Sequence, residues 1–277
     1  MVGLRCMRAC WTGWLVVLAL GPGASMAQPA ACDKPVYLGF ETGSMETAPM
    51  VGLVLQRQQV RATFFAAADR TAEDGDSLDT RWAPWWGARG AEGHDFVSLT
   101  RERVTWLADE RGVRPEFRVQ PKLGAFAGRT FTWNAAKYCD NIAQAADRLG
   151  YITGQQALPL FRAPGGRLSP RLAAAAQACG YRHVGLNVVP FPKPGAPSAK
   201  VATPAQISQT VARIRPGDLV LGHLGEWTRE LPQVPAGLNE LIDGLKAQGY
   251  CFRTVSQHPD YAGLLTRARP EPPADGK

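Results

Sequence analysis

The feature that most constrains this chain is a repeated alternation. Short apolar runs are each followed by a helical stretch, and the pair recurs along nearly the whole sequence. The runs fall at residues 36–40, 62–67, 95–98, 158–162, 183–189, 218–224 and 251–255. Helical spacing appears at 47–58, where Met50, Leu53, Val54 and Arg57 recur, and at 77–89, with a break expected near Pro84. It returns at 134–149, where Tyr138, Ile142, Ala145 and Leu149 share one face, and at 170–179, 203–214 and 235–248. Apolar strands alternating with helices belong to a parallel sheet wrapped by helices. The reading is α/β: a single distorted (β/α) barrel of seven strands, one domain over residues 33–261. Residues 108–133 show no clear period and read as a long loop or hairpin, and 262–277 as a flexible tail. In such a barrel, functional side chains gather at the C-terminal ends of the strands, so the residues there are the ones to inspect.

The N-terminus reads as an address. Arg5 and Arg8 precede an apolar stretch at 11–20, too short for a bilayer span of ~20 residues, and Ser25 and Ala27 supply the small residues of a cleavage site. Residues 1–27 are therefore expected to be a secretory signal peptide, which places the protein in the periplasm or outside the cell with no transmembrane span after cleavage. A retained buried helix would show a capping or amphipathic pattern, and none is present. Lipid attachment at Cys32 is the other alternative, although Pro29 stands where such signals carry an aliphatic residue.

Cleavage leaves 29 basic against 24 acidic residues (31 Lys and Arg less Arg5 and Arg8), a net charge of +5. The charge is scattered, with no run of five like charges, so a nucleic-acid-binding arm is excluded. Loss of Cys6 and Cys10 leaves Cys32, Cys139, Cys179 and Cys251. An even count in an exported chain implies two disulfides with three possible connectivities. Cys32 and Cys251 begin the first and last strands, which a closed barrel makes neighbours, and Cys139 and Cys179 lie on two helices, so these are the expected pairs.

Four strand ends stand out: Phe40-Glu41-Thr42-Gly43-Ser44, residues 93–103 around His94 and Arg103, Phe161-Arg162-Ala163-Pro164-Gly165-Gly166, and Leu219-Val220-Leu221-Gly222-His223. With Thr63-Phe64-Phe65 and Gly249-Tyr250, their order resembles that of the polysaccharide deacetylases of the NodB-homology class, over nearly the whole mature chain. The resemblance implies the barrel fold of that class and removal of acetyl groups from glycans by metal-assisted hydrolysis. In the family, an Asp-Asp pair supplies a general base and a metal ligand. Two His at i, i+4 complete the metal set, an Arg orients the base, and a late His protonates the leaving group.

Carried onto this chain, Glu41 takes the base position, Arg162 the orienting position and His223 the acid position. Thr42, Leu99 and Arg103 take the three metal positions, and neither an aliphatic nor a guanidinium side chain ligates a metal. No metal cofactor is therefore expected, although the family uses a divalent ion such as zinc. Arg103 is expected either to pair with Glu41 or to hold an anionic sugar, and Trp227, just after His223, to stack on a sugar ring. Leu186-Asn187 stand where the family has Trp, His94 reads as structural, and His183 and His258 carry no motif. Three functions stay open: an impaired deacetylase, a non-catalytic protein binding acetylated glycan or a peptidoglycan fragment, and a structural protein of the envelope.

Overall fold

The computed structural model describes residues 32–191, 202–225 and 237–265. The expected signal peptide, most of the Pro-rich loop at 190–197, Trp227 and the tail from residue 266 lie outside the described residues. Strand β1 (Pro35–Thr42) leads into α1 (Ala48–Gln58), and β2 (Thr63–Ala66), α2 (Ala83–Ala91) and β3 (Asp95–Ser98) follow. An excursion of β4 (Thr105–Asp109), β5 (Glu116–Gln120) and β6 (Phe131–Asn134) precedes α3 (Ala135–Thr153). The alternation resumes with β7 (Leu160–Phe161), α4 (Pro170–Ala178), β8 (Arg182–His183), β9 (Val188–Pro190), α5 (Pro204–Arg213) and β10 (Leu219–Leu224). It ends with α6 (Leu238–Ala247), β11 (Cys251–Arg253) and α7 (Pro259–Leu265).

The parallel sheet has the order β8-β7-β3-β2-β1-β10-β9, and β11 pairs with the first residues of β1. The run expected as one strand at 183–189 is divided into β8 and β9. The Val184 N–H still donates to the Phe161 carbonyl at 2.8 Å, whereas the Leu219 N–H donates to the Asn187 carbonyl at 2.8 Å. This segment thus pairs first with β7 and then with β10, at opposite ends of the sheet order, and Gly185-Leu186 carry it across. Counted as one irregular stave, it is one of seven parallel strands in a half-barrel wrapped by helices.

Side-chain parity on β1 separates two apolar layers. Val36, Leu38 and Phe40 pack under the helices with Val51, Leu55, Phe64, Trp86 and Leu245. Tyr37 faces the barrel interior with Phe65, Val97, Leu219 and Leu221. Gly39 shares that inner face, where an added Cβ would come within 2.8 Å of both Leu219 and Phe65. Parity then turns Glu41, the next inward residue, into the mouth of the barrel.

Two local expectations are corrected and a third is completed. Residues 108–133, read as a long loop or hairpin, do form a hairpin, β4-β5, and the reading lacks only its third antiparallel strand, β6. The period there is hidden because the strands are short and a register shift interrupts β4 between Trp106 and Ala108. Pro84 begins α2 rather than breaking a helix, since a proline in the first turn forfeits no helical hydrogen bond. Helix α7 runs into the stretch assigned to the tail, with Tyr261 buried and its hydroxyl accepting the Gly185 N–H at 3.0 Å.

Disulfides join Cys32 to Cys251 and Cys139 to Cys179. His94 fastens the entry to β2: its Nδ1 accepts the Ala62 N–H at 2.9 Å, and its Nε2 lies 3.1 Å from Glu92. Burial disfavours the charged imidazole and, with Arg89 nearby and despite Glu92, lowers its pKa to about 4 from 6.5. The unfolded chain therefore takes up a proton that the folded protein refuses, and stability falls as the pH drops from 6.5 to about 4. We expect the stability advantage of wild type over His94→Gln, measured by urea unfolding, to be constant above that window. It should shrink by about 3 kcal/mol across the window. An advantage that does not change with pH would show that His94 does not titrate there.

Candidate functional site

Glu41 ends the inward-facing series of β1, and the parallel register sets it directly opposite His223 on β10. The carboxylate is 4% exposed. Its Oε1 accepts Nε of Arg162 at 3.1 Å, and its Oε2 accepts Nη1 of Arg103 at 3.0 Å and lies 3.4 Å from Nε2 of His223. Arg162 follows β7 and donates from Nη1 to the Val184 carbonyl at 3.3 Å, with its guanidinium over the Phe65 ring. One carboxylate thus gathers groups from β10, from the end of β7 and from a turn.

That turn, which follows β3, delivers Arg103. Thr100 and Arg103 both have positive φ, 61° and 47°, a conformation costing a non-glycine residue roughly 1–3 kcal/mol. The Thr100 hydroxyl accepts the Val104 N–H at 2.7 Å and holds the turn closed. The strain is offset by what Arg103 reaches. Its Nε donates to Oδ1 of Asp69 at 2.6 Å, its Nη1 to Glu41, and its Nη2 to the Thr42 carbonyl. Thr42 completes the ring, donating from its hydroxyl to Oδ2 of Asp69 at 2.6 Å and accepting the Ala67 N–H at 2.9 Å. Two carboxylates and two guanidiniums are thereby closed on one another, all four residues at most 4% exposed.

Burial alone would raise the Glu41 pKa. The His223 hydrogen bond and the charges of Arg103, His223 and Arg162 outweigh it and hold the carboxyl far below the usual carboxylate range. Burial likewise works against the Arg103 cation, yet Asp69 and Glu41 keep its pKa above the ordinary arginine value. A carboxylate so stabilised is a weak proton acceptor at neutral pH, because general bases work best with a pKa near the working pH.

The structure therefore brings Glu41, Arg162, His223 and Arg103 together at the mouth. Leu99 points elsewhere, buried in the barrel interior with Tyr37, Phe65 and Val97. Asp69 was not singled out by the sequence, although it is the first acid past the end of β2 and strand ends are where such barrels place working groups. Among the described residues, no group of three or more His, Cys, Asp and Glu side chains could hold a metal ion. Beside the cluster opens a cavity of about 570 Å³, within the ~300–1,000 Å³ of small-molecule sites. Glu41, Arg103, Arg162, Arg167, His183, Leu186 and His223 contribute to its walls. His183, which carries no motif, enters here because β8 ends at the seam. Its burial, with the Arg162 charge, lowers its pKa to about 4.

Removing the Arg103 cation should leave two buried carboxylates without it. We expect Arg103→Met to lose about 3–5 kcal/mol in urea unfolding at pH 7. The deficit should shrink on acidification, as protonation relieves the pair. A deficit below about 1 kcal/mol would mean that the pairing is no stronger than a surface salt bridge.

The family model described as polysaccharide deacetylase matches residues 28–184. No curated protein matches the chain. Among solved structures, Bacillus subtilis PdaA, a family 4 carbohydrate esterase, aligns at 20% identity over 85% of this chain and 82% of its own, with a TM-score of 0.57. A CE4 family pseudoenzyme from Bacillus anthracis aligns at 18% identity over 82% of this chain and 66% of its own, with a TM-score of 0.56. The Bc1960 peptidoglycan N-acetylglucosamine deacetylase aligns at 19% identity over 82% of this chain and 88% of its own, with a TM-score of 0.57. At these identities the likeness is one of fold.

Proposed function

We propose, because the chain belongs to the polysaccharide deacetylase family, that its barrel mouth is a cleft for acetylated cell-envelope glycan that does not carry out the family's metal-assisted hydrolysis. The observation that carries this reading is the Arg103 guanidinium, held between Glu41 and Asp69 beside the Thr42 carbonyl. A divalent ion placed there would meet a fixed cation, and Thr42 and Leu99 do not replace the ligands that the family motif supplies. The residues present do not fit the metal.

What remains is a binding surface. Glu41 can accept a hydrogen bond from a ligand only in competition with Arg103, Arg162 and His223, and its lowered pKa makes proton abstraction from water unfavourable. Any residual hydrolysis by the Glu41–His223 pair would lack a Lewis acid worth several kcal/mol of transition-state stabilisation. The fold precedent is apt: the Bacillus anthracis neighbour is described as a pseudoenzyme, and a mutant of it has restored enzymatic activity. Export to the envelope is part of the proposal. It is supported by the segment at 1–27 and by the two disulfides, which persist in oxidising compartments.

Two measurements test it. Purified protein should bind N-acetylated chito-oligosaccharides or peptidoglycan fragments in calorimetry, and release no acetate above background with or without Zn²⁺, Co²⁺ or Ni²⁺. Metal-dependent turnover would overturn the reading, and absence of any glycan binding would favour a purely structural protein. The triple variant Thr42→Asp, Leu99→His, Arg103→His should gain stoichiometric metal binding by calorimetry. If a folded triple variant binds none, the correspondence of these positions with the family's metal set is wrong.

A further inference from the structure

Glu102 and Arg103 are neighbours in one turn but line different cavities. Arg103 belongs to the barrel mouth, and Glu102 to a separate hollow of about 530 Å³ between that turn, the end of β6 and the start of α3. The two cavities share no wall residue. On α3, Lys137, Asp140, Asn141 and Gln144 recur at helical spacing and line the hollow together. The adjoining face of the helix, with Tyr138, Ile142, Ala145 and Leu149, is core. A polar stripe of this kind, folded into a concave surface, presents its groups to whatever enters.

One end of the hollow is acidic. Asn141 is 6% exposed and closes a reciprocal pair with Glu102: its Oδ1 accepts the Glu102 N–H and its Nδ2 donates to Oε2, each at 3.1 Å. The pair fixes the carboxylate and leaves Oε1 to a ligand. Among the described residues, neither Glu102 nor Asp140 has an ion-pair partner. The other end carries donors. Lys137 lies one turn nearer the N-terminus of α3, its Nζ 4.8 Å from the centre of the Trp133 ring and likewise in no ion pair. Trp133 is 5% exposed, and its indole N–H has no acceptor among the described residues. A buried donor left without a partner is costly, so this end favours an incoming oxygen. The positive end of the α3 dipole lies on the same side and fades within the first turn, before Asp140 is reached.

We infer that this hollow is a binding site for a small zwitterion of the amino-acid type, its ammonium held between Glu102 and Asp140 and its carboxylate turned toward Lys137 and Trp133. Lys137 and Asp140 are three residues apart, about 4.5 Å along the helix axis, which suits two opposite charges carried on one carbon. An anion alone would meet Glu102 and Asp140, and an alkylammonium alone would meet Lys137, so a ligand bearing both charges satisfies the walls better than either. Among the described residues, no three ligating side chains converge, so a bare metal ion finds no shell here. The site stands independently of the glycan reading, because no residue of the barrel mouth contributes to it.

The test titrates the full chain separately with alanine, alanine methyl ester and N-acetylalanine at pH about 6.5, where free amines are protonated. The readout is the indole N–H resonance of Trp133, identified as the one missing from Trp133→Phe. Alanine should move it with a Kd of about 1 mM, and each blocked form should bind at least about tenfold more weakly. Asp140→Asn and Lys137→Met alter exposed side chains, so both variants should fold as wild type does by circular dichroism, and each should weaken alanine about tenfold. Equal binding of the ester would make the hollow a cation site, and equal binding of N-acetylalanine an anion site; either overturns the assignment. Tighter binding of glucosamine than of alanine would also overturn it, in favour of an amino sugar. So would a response that neither variant changes, which would place binding elsewhere, or no response to alanine up to about 50 mM. None of these failures touches the cleft reading, which is tested with glycans at the barrel mouth.

Discussion

The barrel mouth is organised by charges that cannot be separated. Glu41, Asp69, Arg103 and Arg162 come from the ends of β1 and β2, the turn after β3 and the end of β7, and each is buried. An isolated charge in such a place would cost several kcal/mol, so every member requires its partners. The cluster therefore couples neighbouring strands at the end where the sheet opens, beyond what the parallel ladder supplies. Thr42 adds a neutral hydroxyl to the same closure, joining β1 to the segment after β2 through the Ala67 N–H and the Asp69 carboxylate.

The same closure bears on chemistry. A carboxylate that is to take a proton must gain from doing so, whereas Glu41 would forfeit contacts with two guanidiniums and an imidazole. The positions that resemble a catalytic base, its orienting arginine and an acid are brought together in space, and their mutual stabilisation lowers the proton affinity of Glu41. Family fold and family chemistry are separable for this reason: parity and register on β1 and β10 place the side chains, but the partner residues decide their proton affinity.

Much of this was legible in the chain. The grouping of Glu41, Arg162 and His223 at strand ends was implied by the resemblance of the motifs, which left Arg103 either to pair with Glu41 or to hold an anionic sugar, and the structure gives the first of these. Other features depend on contacts that local pattern does not encode. Asp69 lies in an alanine-rich stretch, and only the fold brings it to Arg103, 34 residues away. The excursion β4-β5-β6 carries four- and five-residue strands with a register shift, too short and irregular for period two to emerge. The run at 183–189 is apolar enough for one strand, but its hydrogen bonds change partner at Gly185-Leu186, a matter of barrel closure rather than of sequence period. His183 gains its place at the cavity from that change of partner and from no motif.

The identity of residue 103 shows how specific the arrangement is. Its backbone is held in the left-handed region, where a β-branched or bulky residue is an outlier, so the turn persists only because the side chain repays it. The guanidinium meets acceptors on three residues through three different nitrogens: Asp69 through Nε, Glu41 through Nη1 and Thr42 through Nη2. A lysine would carry the same charge on one nitrogen at the tip of a flexible stem, and could not span all three from this turn. The position thus selects a planar fork rather than a cation in general.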